Sequence, residues 1–159
     1  MSAKNADSVK VICQNKKAHF DYELGERFEA GLVLTGTEVK SLRLGKANLL
    51  DAYARFDRGE AYLVGAHISP YDNAYFGNHD PQRRRKLLLK KKEINKLLGK
   101  VQERGQSLIP LRLYFKNGLA KAELALARGK KKHDKRQAMK EADSKRDLSR
   151  QLKEIRNKG

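Results

Sequence analysis

A single cysteine, Cys13, stands in a chain of 159 residues, so no internal disulfide can form. That fits a reducing cytoplasm, and Cys13 reads as a small buried hydrophobe on a first strand. No apolar run approaches the roughly 18–20 residues a bilayer crossing needs, and no secretory signal pattern opens the chain. A membrane-spanning role is therefore set aside. The sequence also lacks a Gly-rich phosphate loop, zinc-ligand spacing and a Gly-x-Ser-x-Gly elbow. Its four histidines, His19, His67, His79 and His133, lie far apart without Cys or Glu companions at ligand spacing. No catalytic residue, metal or cofactor is expected.

What the chain has is positive charge. Lys and Arg number 36 against 19 Asp and Glu, a formal net charge of +17. Such an excess points to a polyanionic partner, nucleic acid before membrane surface. The excess is spread along the chain. From residue 129 to 159 there are 12 Lys and Arg against 5 Asp and Glu, and the large apolar residues are Met139, Leu148, Leu152 and Ile155. Ordering such a segment costs roughly 1–2 kcal/mol per residue of backbone entropy, more than so little apolar area returns. Three parts are expected: a loose N-terminus over 1–8, a compact basic body over 9–128, and a basic tail over 129–159. The tail reads either as a conditional helix, with Leu148, Leu152 and Ile155 on one stripe, or as a disordered, solubilising extension.

The body reads as a series of short strands interrupted by helices. Val9–Ile12 starts a strand. In Phe28–Leu34, Phe28, Ala30, Leu32 and Leu34 take one face and Glu29 the other. Gly36 is expected to end that strand, and Thr37 to cap a helix over Glu38–Leu44 closed by Gly45. Ala52–Phe56 and Ala61–Gly65 form a hairpin around Asp57-Arg58-Gly59-Glu60. Leu111, Leu113 and Phe115 alternate with Arg112, Tyr114 and Lys116. Asn117-Gly118 then supplies a type I′ turn into Ala120, Ala122, Leu124 and Leu126, with Lys121 and Glu123 outward. Asp80-Pro81 reads as a helix start. Ile94, Leu97, Leu98 and Val101 form an amphipathic stripe ending by Gly105. Five or six antiparallel strands with accessory helices suggest a small OB-like β-barrel, an architecture that presents a nucleic-acid-binding face.

Basic residues cluster at Arg83-Arg84-Arg85-Lys86, on the expected helix start, at Lys90–Lys92 and at Lys130–Lys132. Arg83 and Arg85 are candidate phosphate contacts, which give affinity but little selectivity. Tyr71, Tyr75 and Phe76 share a loop with Gly77 and Asn78. They either stack on RNA bases or pin the loop to the body. Glu29 either accepts hydrogen bonds from base amino groups or pairs with a cross-strand Lys or Arg. Leu88 is either core or an apolar surface against a base, because Leu87-Leu88-Leu89 cannot all face inward on one regular element. Rival functions are a small basic ribosomal structural protein and a metal-dependent RNA nuclease.

With these segments in view, the chain resembles the SsrA-binding protein family, small protein B (SmpB). The motifs are Asn15-Lys16-Lys17-Ala18, Phe28-Glu29-Ala30-Gly31, Gly36-Thr37-Glu38-Val39-Lys40-Ser41-Leu42-Arg43, Gly45-Lys46-Ala47-Asn48, Arg85-Lys86-Leu87-Leu88-Leu89, Gly129-Lys130-Lys131 and His133-Asp134-Lys135-Arg136. They occur in the family's order from about residue 9 to 153. The resemblance implies an OB-fold-like adaptor, monomeric when free, that binds the tRNA-like domain of transfer-messenger RNA (tmRNA, SsrA RNA). It would deliver that RNA to stalled ribosomes for trans-translation. Implied RNA contacts are Asn15, Lys16, Lys17, Glu29, Leu88 and Lys121, which tips Glu29 and Leu88 toward RNA. Implied ribosome contacts, near the decoding centre and along the empty message channel, are Lys131, Lys132, His133, Asp134, Lys135 and Arg136, with Leu152 and Ile155 on the tail's apolar side. Ala142 departs from the family's pattern, where an Arg is commoner.

Overall fold

The computed structural model of the chain describes residues 8–130 together with 145, 146, 149 and 150. The expectations for Lys131, Lys132, His133, Asp134, Lys135, Arg136, Leu152 and Ile155 fall outside the described residues. The described architecture is mainly antiparallel β with few helices. In chain order come β1 (Val9–Gln14), α1 (Ala18–Asp21), β2 (Tyr22–Leu32), α2 (Gly36–Arg43) and β3 (Ala47–Asn48). Then follow β4 (Tyr53–Asp57), β5 (Glu60–Val64), β6 (His67–Ile68), β7 (Arg85–Leu88), α3 (Lys91–Arg104), β8 (Ser107–Lys116) and β9 (Leu119–Gly129). Seven strands form one sheet in the order β1-β8-β4-β5-β7-β2-β9, and β8 additionally pairs with β9. The β3 and β6 strands make a separate two-stranded sheet.

Both hairpins follow from their turns. Asn117 and Gly118 take φ of 51° and 82°, and Arg58 and Gly59 take 52° and 78°. Left-handed backbone at both central residues matches the twist of the flanking strands. On the buried face, Phe28, Ala30, Leu63, Leu87, Leu113, Ala122, Leu124 and Leu126 pack with Leu42 of α2 and Leu97 of α3. Helix α3 follows the expected stripe, and Gly105 closes it at φ 61°.

Leu111 departs from expectation. The β8–β9 register slips between Pro110 and Arg112, so Leu111 leaves the face shared by Leu113 and Phe115. It joins Ala18, Ile109, Ala125 and Ala127 in a second, smaller cluster instead. A bulge of this kind re-aims one side chain across a sheet.

Two local expectations are corrected. Helix α2 is capped by Thr35, not Thr37, and Gly36 is its first residue. The Thr35 backbone N–H donates to Glu38 Oε1 at 2.8 Å, so the acid that caps the helix lies inside it. Asp80-Pro81 starts no helix. Asp80 Oδ1 accepts the Gln82 N–H at 2.9 Å and its carbonyl accepts the Arg83 N–H at 3.1 Å, making a tight turn. Residues Arg85–Leu88 then run as β7 between β5 and β2. A Pro after an Asp serves a turn as readily as a first helical turn, and the two vacant strand edges decided between them.

Candidate nucleic-acid interface

The sheet register gathers residues from distant parts of the chain into one transverse row. Leu88 of β7 lies opposite Gly31 of β2. Gly31 in turn lies opposite Lys121 of β9, and Lys121 opposite Tyr114 of β8. Glu29, two residues before Gly31, shares this face because side chains alternate along a strand. The reason for a glycine in the row is spatial. A Cβ at Gly31 would sit 3.3 Å from Leu88 Cβ, and its absence lets Leu88 lie against the β2 backbone. Leu88 is 53% exposed, a bare leucine on a strand whose neighbour Leu87 is core.

Glu29 is held from β8. The Tyr114 hydroxyl donates to its Oε2 at 2.5 Å, and Lys116 Nζ approaches within 3.4 Å. The Tyr114 hydrogen bond, with Lys116 beside it, keeps the Glu29 carboxyl below the usual carboxylate range, so it is an anion at neutral pH. Burial and that same bond push the Tyr114 phenol upward. Further along the face, Glu123 lies between Arg27 and Arg112, 3.6 Å from each. Arg112 stacks over the Tyr114 ring, 4.6 Å from its centroid. The face therefore carries anchored carboxylates among a larger number of cations.

Two shallow grooves run along this face. One, about 310 Å³, is lined by Val9, Arg27, Glu29, Tyr114 and Lys116 among others. The next, about 280 Å³, passes Gln14, Asn15, Lys16 and His19, and the two share Arg27, Arg112 and Glu123. The structure thus brings Glu29, Leu88 and Lys121 together and sets Lys16 beside the far groove. Lys17, just ahead of α1, is exposed and lies 3.9 Å from Asp21 at the end of that helix. Asn15 is buried. Its Nδ2 donates to the Pro110 carbonyl at 3.1 Å and its Oδ1 accepts the Ala18 N–H at 3.3 Å, fixing the start of α1. It shapes the groove from beneath.

Arg85 is corrected outright. It is fully buried, its Nε 2.5 Å from Glu38 Oε2, and its other nitrogens donate to the carbonyls of Ala66, Asp80 and Pro81. No face of it is left for a phosphate. Arg83 donates to Glu38 Oε1 at 2.6 Å and to the Val33 carbonyl, so it too is largely committed inward. Glu38 is wholly buried between them. Burial alone would raise its carboxyl, but hydrogen bonds from Arg83, the Thr35 N–H and Arg85 outweigh that and hold it at about 2. The cation-rich run at Arg83–Lys86 is thus mainly scaffold. Arg84 lies over the Tyr62 ring and pairs with Asp57.

The residues that sequence reasoning passed over on this face are Arg27, Arg112, Tyr114 and Lys116. Their signal was the outward alternation of Arg112, Tyr114 and Lys116 before the Asn-Gly turn. Among the described residues no group of three or more His, Cys, Asp or Glu is placed to hold a metal ion. No described helix is long and apolar enough to cross a membrane.

Comparison with known proteins is consistent across sequence and structure. The family model described as SmpB protein matches residues 12–154. The SsrA-binding protein of Syntrophobacter fumaroxidans is 58% identical over 151 residues, covering 95% of this chain and 94% of that protein. That of Geobacter metallireducens is 60% identical over 145 residues, covering 91% and 95%. A solved chain described under "tmRNA-SmpB: a journey to the center of the bacterial ribosome" is similar with a TM-score of 0.64 and 48% identity, covering 80% of this chain and 93% of that one.

Proposed function

This chain belongs to the SmpB protein family, and from that premise we propose that the face formed by β7, β2, β9 and β8 grips the tRNA-like domain of tmRNA. The protein is an RNA-binding adaptor of trans-translation, not an enzyme. It binds SsrA RNA and accompanies it to stalled ribosomes. The observation that carries the assignment of the face is the convergence of Glu29, Leu88 and Lys121 on adjoining strands, although 92 residues separate the first from the last in the chain.

Each member of the convergence has a distinct job. Lys121, Lys116, Arg27 and Arg112 neutralise phosphates, which sets affinity and orientation. Glu29, ionised and locked by Tyr114, repels phosphate and accepts hydrogen bonds from base amino groups, so it selects where a base edge meets the sheet. Leu88 offers an apolar surface to a base or sugar. Lys16 and Lys17 extend the cationic track past α1. The closed cycle of pairings through β8, β4, β5, β7, β2 and β9 supports an OB-like barrel as the frame. The division of labour places RNA capture in residues 9–128 and ribosome contact in the tail from 129 to 159, in the bacterial cytoplasm.

The test is equilibrium binding of the full chain to the tRNA-like domain across a series of salt concentrations. Log affinity is expected to fall linearly with log salt, by roughly 0.7–0.9 per phosphate neutralised, and to exceed that for unrelated RNA hairpins at every salt. Equal affinity for unrelated hairpins would contradict the assignment.

A further inference from the structure

The loop between β6 and β7 carries the most exposed aromatic rings among the described residues, and nothing in the sheet-face account uses them. Tyr75 is 95% exposed and Phe76 103%. Their centroids are 6.4 Å apart with the planes tilted by 45°, so neither ring covers the other's face. Rings placed so gain nothing from folding; their apolar area is available only to something that arrives.

The loop is not slack beneath them. The Tyr71 N–H donates to Asn78 Oδ1 at 2.9 Å, and Asn78 Nδ2 donates back to the Tyr71 carbonyl at 2.7 Å. His79 is buried and bridges Thr37 Oγ1 and the Ile68 carbonyl, 2.9 Å from each. Gly77, at φ 96°, makes the reversal that no side-chain-bearing residue adopts easily. The root is clamped, and the tip holds two bare rings above a hollow of about 570 Å³ beside the start of α2. Of the three aromatics in the loop, Tyr71 is the one tied to the body: Lys40 Nζ lies 5.4 Å from its ring centroid.

We propose that this loop is a second RNA-contact site, which takes unpaired nucleobases by stacking them on Tyr75 and Phe76. The chemistry around the rings selects RNA over an apolar protein surface. Thr35, Thr37 and Asn78, held in the bonds of the loop root and the helix cap, give the hollow a fixed polar wall. The exposed Asn73 offers a donor and an acceptor to a base edge, and Lys40 supplies a cation for the adjoining phosphate. Stacking on an aromatic pair is sequence-tolerant, because every base has a π-face. The site shares no lining residue with the two sheet-face grooves, so one chain can hold two RNA segments at once.

The test uses the full chain and a single-stranded RNA of roughly nine nucleotides with a central 2-aminopurine, whose emission changes on stacking. The segment from 129 to 159 contains no Phe, Tyr or Trp, so tail binding alone gives no aromatic stacking signal. At salt high enough to screen the tail, wild type is expected to shift the emission. The Tyr75→Ala/Phe76→Ala pair should lose the shift and about tenfold or more in affinity. Tyr75→Phe/Phe76→Tyr should keep both, whereas Tyr75→Leu/Phe76→Leu should lose the shift despite its apolar bulk. All variants should keep the wild-type melting temperature and affinity for the tRNA-like domain. An unchanged shift in the alanine pair overturns the proposal, and so does retention of signal and affinity by the leucine pair, which would mark a hydrophobic protein-docking patch.

Discussion

Removing the Glu38 carboxylate should be among the most damaging single changes to the fold. Glu38→Ala deletes the acceptor for the Thr35 N–H, for Arg83 Nη2 at 2.6 Å and for Arg85 Nε at 2.5 Å. Arg85 would remain fully buried, its charge balanced by carbonyl oxygens alone. Breaking a buried ion pair from one side costs about 3–5 kcal/mol, because the surviving charge stays in the interior. Against a total stability on the order of 5–15 kcal/mol, that is a large share. Urea unfolding of the full chain followed by circular dichroism should show the loss as a lowered midpoint. Replacing both partners with apolar residues, Glu38→Leu with Arg85→Met, should recover part of it, since the orphaned charge goes too. The pH dependence follows with its sign. The folded carboxyl sits at about 2, below its ordinary value of 4.5. Its contribution, on the order of 3 kcal/mol, is therefore present above about pH 4.5 and is lost as pH falls toward 2. A loss under about 1 kcal/mol in Glu38→Ala would refute the buried pair as the strut between α2 and β7.

Two further outcomes probe the sheet face. Glu29→Gln keeps an oxygen for the Tyr114 hydroxyl, so melting should move little while affinity for the tRNA-like domain falls about tenfold; a large melting loss with intact binding would make Glu29 structural. Gly31→Ala places a methyl 3.3 Å from Leu88 Cβ and 3.4 Å from its Cδ1, so the exposed Leu88 should rotate its outer atoms aside while β2 and β7 part by a few tenths of an ångström. Stability should then change by less than about 1 kcal/mol while RNA binding weakens, as equilibrium unfolding and binding would show together.

The sequence carried the elements whose causes are local. Asn117-Gly118 and the alternation of Leu113 and Phe115 fixed the last hairpin, and the stripe of Ile94, Leu97, Leu98 and Val101 fixed α3. It failed where the deciding partner lies far along the chain. Asp80-Pro81 looked helical because nothing local announces that β5 and β2 leave a space for Arg85–Leu88. Arg85 looked like a phosphate contact because a run of cations does not reveal that Glu38, 47 residues earlier, buries one of them. Asn15, an RNA contact implied by the resemblance, has its amide spent on the distant Pro110 and the nearby Ala18, and only the second of these partners is local. Glu29, by contrast, was legible as an outward position, and Leu88 as a choice between core and surface that the structure settles outward. One alternates with core residues, and the other interrupts a leucine run that no regular element can bury whole. The slip at Pro110 that sends Leu111 to a second cluster left no mark that alternation alone could read.

Ultraviolet cross-linking of the full chain to the tRNA-like domain, with the cross-linked peptides identified by mass spectrometry, bears most directly on where the RNA sits. Adducts should concentrate in residues 27–31, 86–88 and 112–121, the strands that supply Glu29, Leu88, Tyr114 and Lys121. Adducts confined to residues 130–159, with the sheet face untouched, would mean that the basic extension and not the folded body holds the RNA.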